Sequence, residues 1–411
     1  MSILANNFRD KVKKLKDPRH AEGIDDVGYP TGFTAIDFRN GTSYMGMKDG
    51  KPHVNYVLGL VDGSMNMIIG RSGSGKSTLA LQIAGNIARE YDECVIYHDD
   101  IEGGSNTARR MELLGMTADE MESKYIYRNG GITVENIHER LKAIHDLKLA
   151  HKDELMYNTG NYNIKGEPIY KLQPTIYIVD SVAVMMPEKY AEEDEMSGNM
   201  GNTAMAKENK KLASRLLHIL KPANIILIFI NHINDDVQIG LVPKKPMLPY
   251  LKQGETLPGG KGFHYLMNNV FRIDDGTKLK DSDKFQIDGN ITQLSLCKSR
   301  TNKSGKSVPL IFNQSTGYDN DLSLLQVLVE NKMINGAGAY LYIGDRDDKK
   351  FSNKKFKEMC YEDEEFYDIL VDTTIKVLKE MISYNNGLSD DLQPKPVRRL
   401  TTSAILNKLD S

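Results

Sequence analysis

Cysteine is scarce in this sequence. Cys94, Cys297 and Cys360 are the only three in 411 residues, and none stands at a metal-ligand spacing from another. That excludes a disulfide framework and points to a reducing, intracellular setting. Long apolar runs are absent too: stretches such as Ile225–Ile230 fall far short of the roughly 20 residues a membrane helix needs. The opening MSILANNFRDKVKKLKDPRH is basic but lacks the apolar core of a secretory signal, so a soluble, cytoplasmic protein is expected. Neither charge sign dominates. With 53 Lys and Arg against 56 Asp and Glu the net charge is −3, which excludes coating of nucleic acid by bulk positive charge but leaves room for a local basic channel. No internal repeat is visible.

What is present is an ordinary globular composition, 40% apolar and 27% charged, long enough for one large core domain with smaller appendages. From Val54 onward strands and helices alternate. MNMIIG (65–70) reads as a buried strand, Lys76–Glu90 as a helix with Leu79, Ile83 and Ile87 on one face, and CVIYHD (94–99) as a second strand. Short helices are expected at Ser105–Leu114 and Val134–Leu147. TIYIVD (175–180) and NIILIFIN (224–231) are almost wholly apolar, as strands covered on both faces must be. A helix over about Thr203–Leu220 separates them, and shorter, partly antiparallel strands follow at 268–274, 291–299 and 308–313. The pattern predicts an α/β fold: a mostly parallel twisted sheet with helices on both faces. Two stretches interrupt it. His151–Gln173 reads as an inserted hairpin or loop, and Asn234–Pro258 as a long loop rich in Pro, Lys and Gly.

GRSGSGKS (70–77) fits the phosphate-loop pattern in full, between an expected strand and an expected helix. Gly70, Arg71, Ser72, Gly73, Ser74, Gly75, Lys76, Ser77 and Thr78 form the candidate nucleotide cradle, so a nucleoside triphosphate with magnesium is the expected ligand. The glycines let backbone N–H groups turn toward phosphate oxygens at a helix N-terminus. Lys76 would neutralise the β and γ phosphates, and Ser77 would ligate magnesium. Asp180, ending an apolar strand, is the expected magnesium partner. Asp99, Asp100 and Glu102 end the strand before it, where a water-orienting group belongs. Glu102 is preferred, and any of the three could instead cap a helix. Asn231 and His232 end another buried strand and could sense the γ-phosphate, or act merely as a cap and a solvated imidazole.

These motifs, in this order, resemble the RecA family of homologous recombinases, T4-type phage members included. VDSVAVMMP (179–187) resembles the strand and turn after the family's second nucleotide motif, and MSGNMG (196–201) the end of its first DNA-binding loop. IFINHI (228–233) resembles the strand leading into the second loop, and LPGGKGFHYLMNNVFRID (257–274) the segment after it. CKSR (297–300) and NGAGAYLYIGD (335–345) resemble, respectively, a basic segment reaching a neighbour's ATP and the small carboxyl-terminal region. The resemblance spans about residues 29 to 360. It implies a RecA-like P-loop ATPase core over 29–318, a short amino-terminal helical segment over 1–28, a small α+β domain over 319–386 and a flexible tail over 387–411.

The resemblance further implies that Glu102 polarises the attacking water, His232 is the γ-phosphate switch, and Lys298 and Arg300 complete a neighbouring subunit's site. Loops near 193–201 and 233–260 would hold DNA through Met200, Gly201, Ile239, Lys244, Lys245, Lys252, Gly259, Gly260 and Lys261. Phosphate contacts would give sequence-blind holding, and the apolar residues could wedge between bases. Arg110 falls where the family places a tyrosine against adenine. Extra residues at Gly46–Asn55 and the 151–173 insertion have no counterpart in the family pattern. The expected protein is an ATP- and Mg2+-dependent DNA recombinase, filamentous on single-stranded DNA, acting on double-stranded DNA and served by single-strand-binding and loader proteins. A hexameric helicase-type motor or a recombination mediator on the same core are the alternatives.

Overall fold

The computed structural model describes residues 26–191, 198–235, 245–280, 287–338 and 340–382. Nearly all of the expected amino-terminal segment, and the whole of the expected tail, lie outside the described residues.

In chain order the elements that frame the site begin with a hairpin, β1 (Thr42–Lys48) and β2 (Lys51–Val57), then β3 (Met65–Gly70), α1 (Lys76–Glu90), β4 (Val95–Asp100) and α2 (Thr107–Leu114). β5 (Tyr125–Asn129), α3 (Val134–Ala150), a second hairpin of β6 (Met156–Tyr162) and β7 (Pro168–Leu172), and β8 (Thr175–Asp180) follow. The chain continues through α4 (Gly198–Ala223), β9 (Ile225–His232), α5 (Gly260–Leu266), β10 (Asn269–Leu279), β11 (Gly289–Ser299), β12 (Ser307–Asn313), β13 (Gly317–Asp319) and α6 (Asn320–Glu330). Among the described residues nine strands share one sheet in the order β13-β12-β11-β10-β3-β9-β8-β4-β5. From β10 to β5 every neighbouring pair is parallel, and from β10 to β13 every pair is antiparallel. The mixed sheet is the one that the alternation of strands and helices predicts.

The wholly apolar strands are buried on both faces because each feeds two cores. Along β9, Ile226, Ile228 and Ile230 join the α1 side of the sheet, while Ile225, Leu227 and Phe229 join the side covered by α3 and α4. Period-two alternation sends successive side chains to opposite faces, so a strand between two helical layers needs apolar residues at every position. α4 starts at Gly198, five residues before the expected helix, so residues 198–201 of the expected first loop are helical.

The 151–173 insertion is a hairpin and packs against the other extra stretch. Tyr162 N–H donates to Asn55 Oδ1 at 2.9 Å and Asn55 Nδ2 donates to Tyr162 O at 2.7 Å. Met47 N–H donates to Asn163 O at 3.0 Å. A Cβ at Gly46 would sit 2.0 Å from Tyr162 O, so only glycine permits the approach. The 151–173 hairpin and the Gly46–Asn55 stretch therefore build one unit. At the other end, α6 gives Leu324 and Val327 to the main core and Leu322, Leu325 and Leu328 to a smaller one with Phe351, Phe356 and Phe366.

Candidate functional site

Parallel register brings the site together. Asp180 is level with Asp100 on one side and Ile230 on the other, and His232 is level with Gly70. The carboxyl ends of β3, β9, β8 and β4 therefore open into one crevice, where α/β sheets bind ligands.

Gly70 ends β3, and the chain turns through Arg71–Gly75 into α1. Gly73 has φ +76 and Gly75 φ +81, both left-handed, and Gly75 has a second reason to be glycine: an added Cβ would lie 2.8 Å from the Tyr318 hydroxyl. No side chain caps the start of α1, which leaves its first N–H groups to an anion. Lys76 is 4% exposed and folds back over the loop, its Nζ 2.7 Å from Arg71 O. Tyr318 donates to Ser74 O at 3.0 Å, bracing the loop from β13. Ser77 Oγ donates to Asp180 Oδ2 at 2.5 Å. Burial pushes the Asp180 carboxyl up to about 6; the Ser77 hydrogen bond and Lys76 oppose this, while Glu102 and Asp100 add to it. A buried carboxylate beside a serine hydroxyl at the mouth of an uncapped helix suits a hard divalent cation, which would favour the ionised form. The Ser74 hydroxyl is buried with no hydrogen-bond partner, as suits a group facing a polar ligand. The residues thus fit a magnesium-bound triphosphate, held by the loop, Lys76, Ser77 and Asp180.

Glu102 lies just past β4. Its Oε1 accepts from the Ser181 hydroxyl and lies 2.8 Å from His232 Nε2. Burial and then Lys76 push the His232 imidazole down, with Glu102 opposing, so it is neutral at pH 7 and donates Nε2–H to the carboxylate. Glu102, Asp180 and His232 bring ligand-capable atoms within 4.8 Å of one another. The only sequence signal for Ser181 is its adjacency to Asp180.

Asp99 and Asp100 take other work. Asp99 accepts from Arg140 at 2.6 Å and from Tyr177, inside the fold. Asp100 accepts from Tyr127 Oη at 2.9 Å and Gly103 N–H at 2.8 Å. Burial would raise its carboxyl, but the Tyr127, Gly103 and Ser105 hydrogen bonds and His98 hold it below its ordinary value. Arg110, at the position where the family places a tyrosine against adenine, is turned inward. It is 6% exposed, lies 3.6 Å from the Tyr127 ring centroid and donates to Ser105 O and Thr107 Oγ1. The guanidinium packs on this chain's own aromatic ring, an equally good partner for its flat face.

The stem of the second loop is tied to the same crevice. Arg71 makes a two-bond pair with Asp235, at 2.8 and 3.2 Å, and Asn234–Asp235 pairs antiparallel with Glu255–Thr256. Buried Arg272 holds Glu255 through two bonds of 2.7 and 2.8 Å. Asn231 Nδ2 donates to Pro258 O at 3.0 Å, fixing the turn in which Gly259 (φ +93) and Gly260 (φ +72) open α5. Lys245, Lys252 and Lys261 are exposed around this stem. Ile239 and Lys244 lie outside the described residues, and of Met200 and Gly201 only the helical backbone is described.

Lys298 and Arg300 are elsewhere. Lys298 is level with Val270, which faces Met67, so it sits toward the amino-terminal end of β3 rather than the crevice. Its Nζ donates to the carbonyls of His264, Tyr265 and Met267, and Arg300 donates to Tyr265 O, closing the C-terminus of α5.

No family model matches the chain. Over 352 residues it is 23% identical to the protein RecA of Marinobacter nauticus, a span of 85% of this chain and 83% of that relative. Together with the nine-stranded sheet and its crevice, this supports a distant relationship to the RecA family.

Proposed function

We propose that the chain is an ATP-dependent DNA recombinase, which polymerises on single-stranded DNA with Mg-ATP, pairs it with homologous duplex and exchanges strands. The observation that carries this reading is the convergence of Lys76, Ser77, Asp180, Glu102 and His232 on one crevice whose rim is tied, through Arg71–Asp235 and Asn231–Pro258, to the stem of the second loop. A nucleotide site and a candidate DNA loop joined this closely can exchange state.

Within the site Lys76 and the helix N-terminus take the phosphate charge, and Ser77 and Asp180 hold magnesium, which supplies charge neutralisation at the phosphates. Glu102 accepts a hydrogen bond from the attacking water and orients it. His232, which donates to Glu102, is the link by which occupancy of the γ-phosphate position reaches Asn234–Asp235 and the loop beyond. Lys298 and Arg300, set toward the amino-terminal end of β3, serve a neighbour's crevice rather than their own. Cations supplied in trans stabilise transition-state charge and are worth about a thousandfold or more in rate, which confines hydrolysis to the assembled filament. Lys245, Lys252, Lys261 and the Gly259–Gly260 turn hold DNA phosphates without reading sequence.

The test is a strand-pairing assay with a labelled single-stranded oligonucleotide, homologous or scrambled duplex, Mg-ATP, and the wild-type or Lys76→Ala protein. Joint molecules are expected only with homologous duplex and only with Lys76 intact. DNA-stimulated hydrolysis without joint molecules would sink the recombinase reading in favour of a motor or a mediator, and unwinding would separate those two.

A further inference from the structure

We propose that Arg110 and Tyr127 are positioning residues for Glu102, acting by locking the turn of residues 101–106. The inference rests on the reading of Glu102 as the water-orienting group. Glu102 needs such support. Its side chain is 39% exposed, and the turn that carries it contains Gly103 and Gly104, at both of which an added Cβ would meet open space. Nothing packs those two glycines, and glycine has the widest backbone freedom of any residue.

The turn is instead held at its ends by hydrogen bonds. On the upstream side Ile101 N–H and Glu102 N–H both donate to Asp180 O, at 2.6 and 3.3 Å. On the downstream side Gly103 N–H, Ser105 N–H and the Ser105 hydroxyl converge on the Asp100 carboxylate at 2.8, 3.4 and 3.1 Å. Arg110, from the first turn of α2, donates to Ser105 O and, at 3.3 Å, to Ser105 Oγ. Its second terminal nitrogen reaches Thr107 Oγ1 at 3.0 Å, while Nε is buried without a partner. The Tyr127 ring lies under the guanidinium, and its hydroxyl donates to Asp100 Oδ2 at 2.9 Å. One aromatic side chain on β5 therefore fixes both the cation and the anion that grip Ser105. The arrangement needs a planar fork that can stack and donate in two directions at once, which an ammonium cannot supply. A buried arginine serving only the core would have no reason to place two of its bonds on the backbone carbonyl and side chain of a residue three positions from Glu102.

The experiment measures DNA-stimulated hydrolysis of Mg-ATP, as kcat and KM, for Arg110→Lys, Arg110→Ala, Tyr127→Phe, Glu102→Gln and the double variant Arg110→Ala with Glu102→Gln. A positioning role gives a kcat loss of about tenfold for Arg110→Lys and Tyr127→Phe, and about a hundredfold for Arg110→Ala, each with KM within about twofold, on the scale of effects set by misplacing a catalytic group. It also makes the double variant no slower than Glu102→Gln alone, since both changes remove one function. A merely structural Arg110 would lower the melting temperature and add its kinetic loss to that of Glu102→Gln. Tyr127→Phe keeps the ring and removes one hydroxyl, so it serves even if Arg110→Ala does not fold. Wild-type kcat in Arg110→Lys and Tyr127→Phe, with Glu102→Gln inactive, overturns this inference alone. A wild-type rate in Glu102→Gln overturns the water-orienting role and this inference with it.

Discussion

Across the sheet, parallel strands β3, β9, β8 and β4 and antiparallel strands β11, β12 and β13 both bury apolar side chains, yet they end in different places. The parallel strands all present carboxyl ends to the same rim, so Gly70, Asp100, Asp180 and His232 become neighbours by register alone. Antiparallel neighbours alternate their ends. Lys298, near the end of β11, is therefore delivered to the far side, and what this half gives the crevice is support, chiefly Tyr318 on Ser74 O. Direction, rather than composition, decides which strands carry chemistry.

That asymmetry predicts unequal costs of truncation. Phe229 on β9 is fully buried, level with Met67 and Val179 and 5.0 Å from the Phe263 ring. Phe229→Ala should cost about 3–5 kcal/mol in urea unfolding, because a central strand cannot collapse into the void. Phe312 on β12 is only partly buried, and Phe312→Ala should cost about 1 kcal/mol by loss of half-buried area. Equal costs would mean that the two halves support the fold alike.

A second contrast turns on pH. His98 on β4 is 2% exposed, with Nδ1 2.7 Å from the Tyr125 hydroxyl and Nε2 unpartnered. Burial pushes its pKa from 6.5 down to about 4; Asp100 opposes this and Arg110 adds to it. The folded state therefore binds the proton less readily than the unfolded chain. Its contribution is complete above pH 6.5 and is lost as pH falls toward 4, by about 3 kcal/mol. Unfolding free energies of wild type and His98→Phe, followed from pH 7 to pH 4, should converge by that amount. A constant gap between them would show that His98 is charged or open to water in the fold.

The parallel half was also the legible half. An apolar run of six with Asp180 at its end, and a glycine loop between strand and helix, each state a local rule that tertiary packing does not overturn. Val95–Asp100 shifted by one residue from its expected start and α4 gained a turn, which are ordinary boundary errors. What could not be read were relations between distant segments. Nothing in Gly46 announces Tyr162, and nothing in Arg110 announces Tyr127, since stacking and hydrogen bonds across 17 or more residues leave no period in the sequence. For Arg110 a resemblance supplies the neighbourhood, while the direction of its side chain is set by a ring on the edge strand.

Lys298 puts the comparison to its finest test, because it is the antiparallel half's one claim to chemistry. Within its own chain it closes the C-terminus of α5 through three carbonyls, a role worth about 0.3–1 kcal/mol. Burial, then the nearby Arg300, push its pKa from 10.5 down to about 8, so it still carries charge at pH 7. Lys298→Met keeps the aliphatic stem and should lower stability only by that small amount. DNA-dependent hydrolysis should nevertheless fall by about a thousandfold, and mixing the variant with Lys76→Ala protein should restore part of it, since each chain then lends the other its intact half. Full hydrolysis in Lys298→Met, with the small stability loss present, would leave Lys298 as a helix cap and Arg300 as the neighbour's cation.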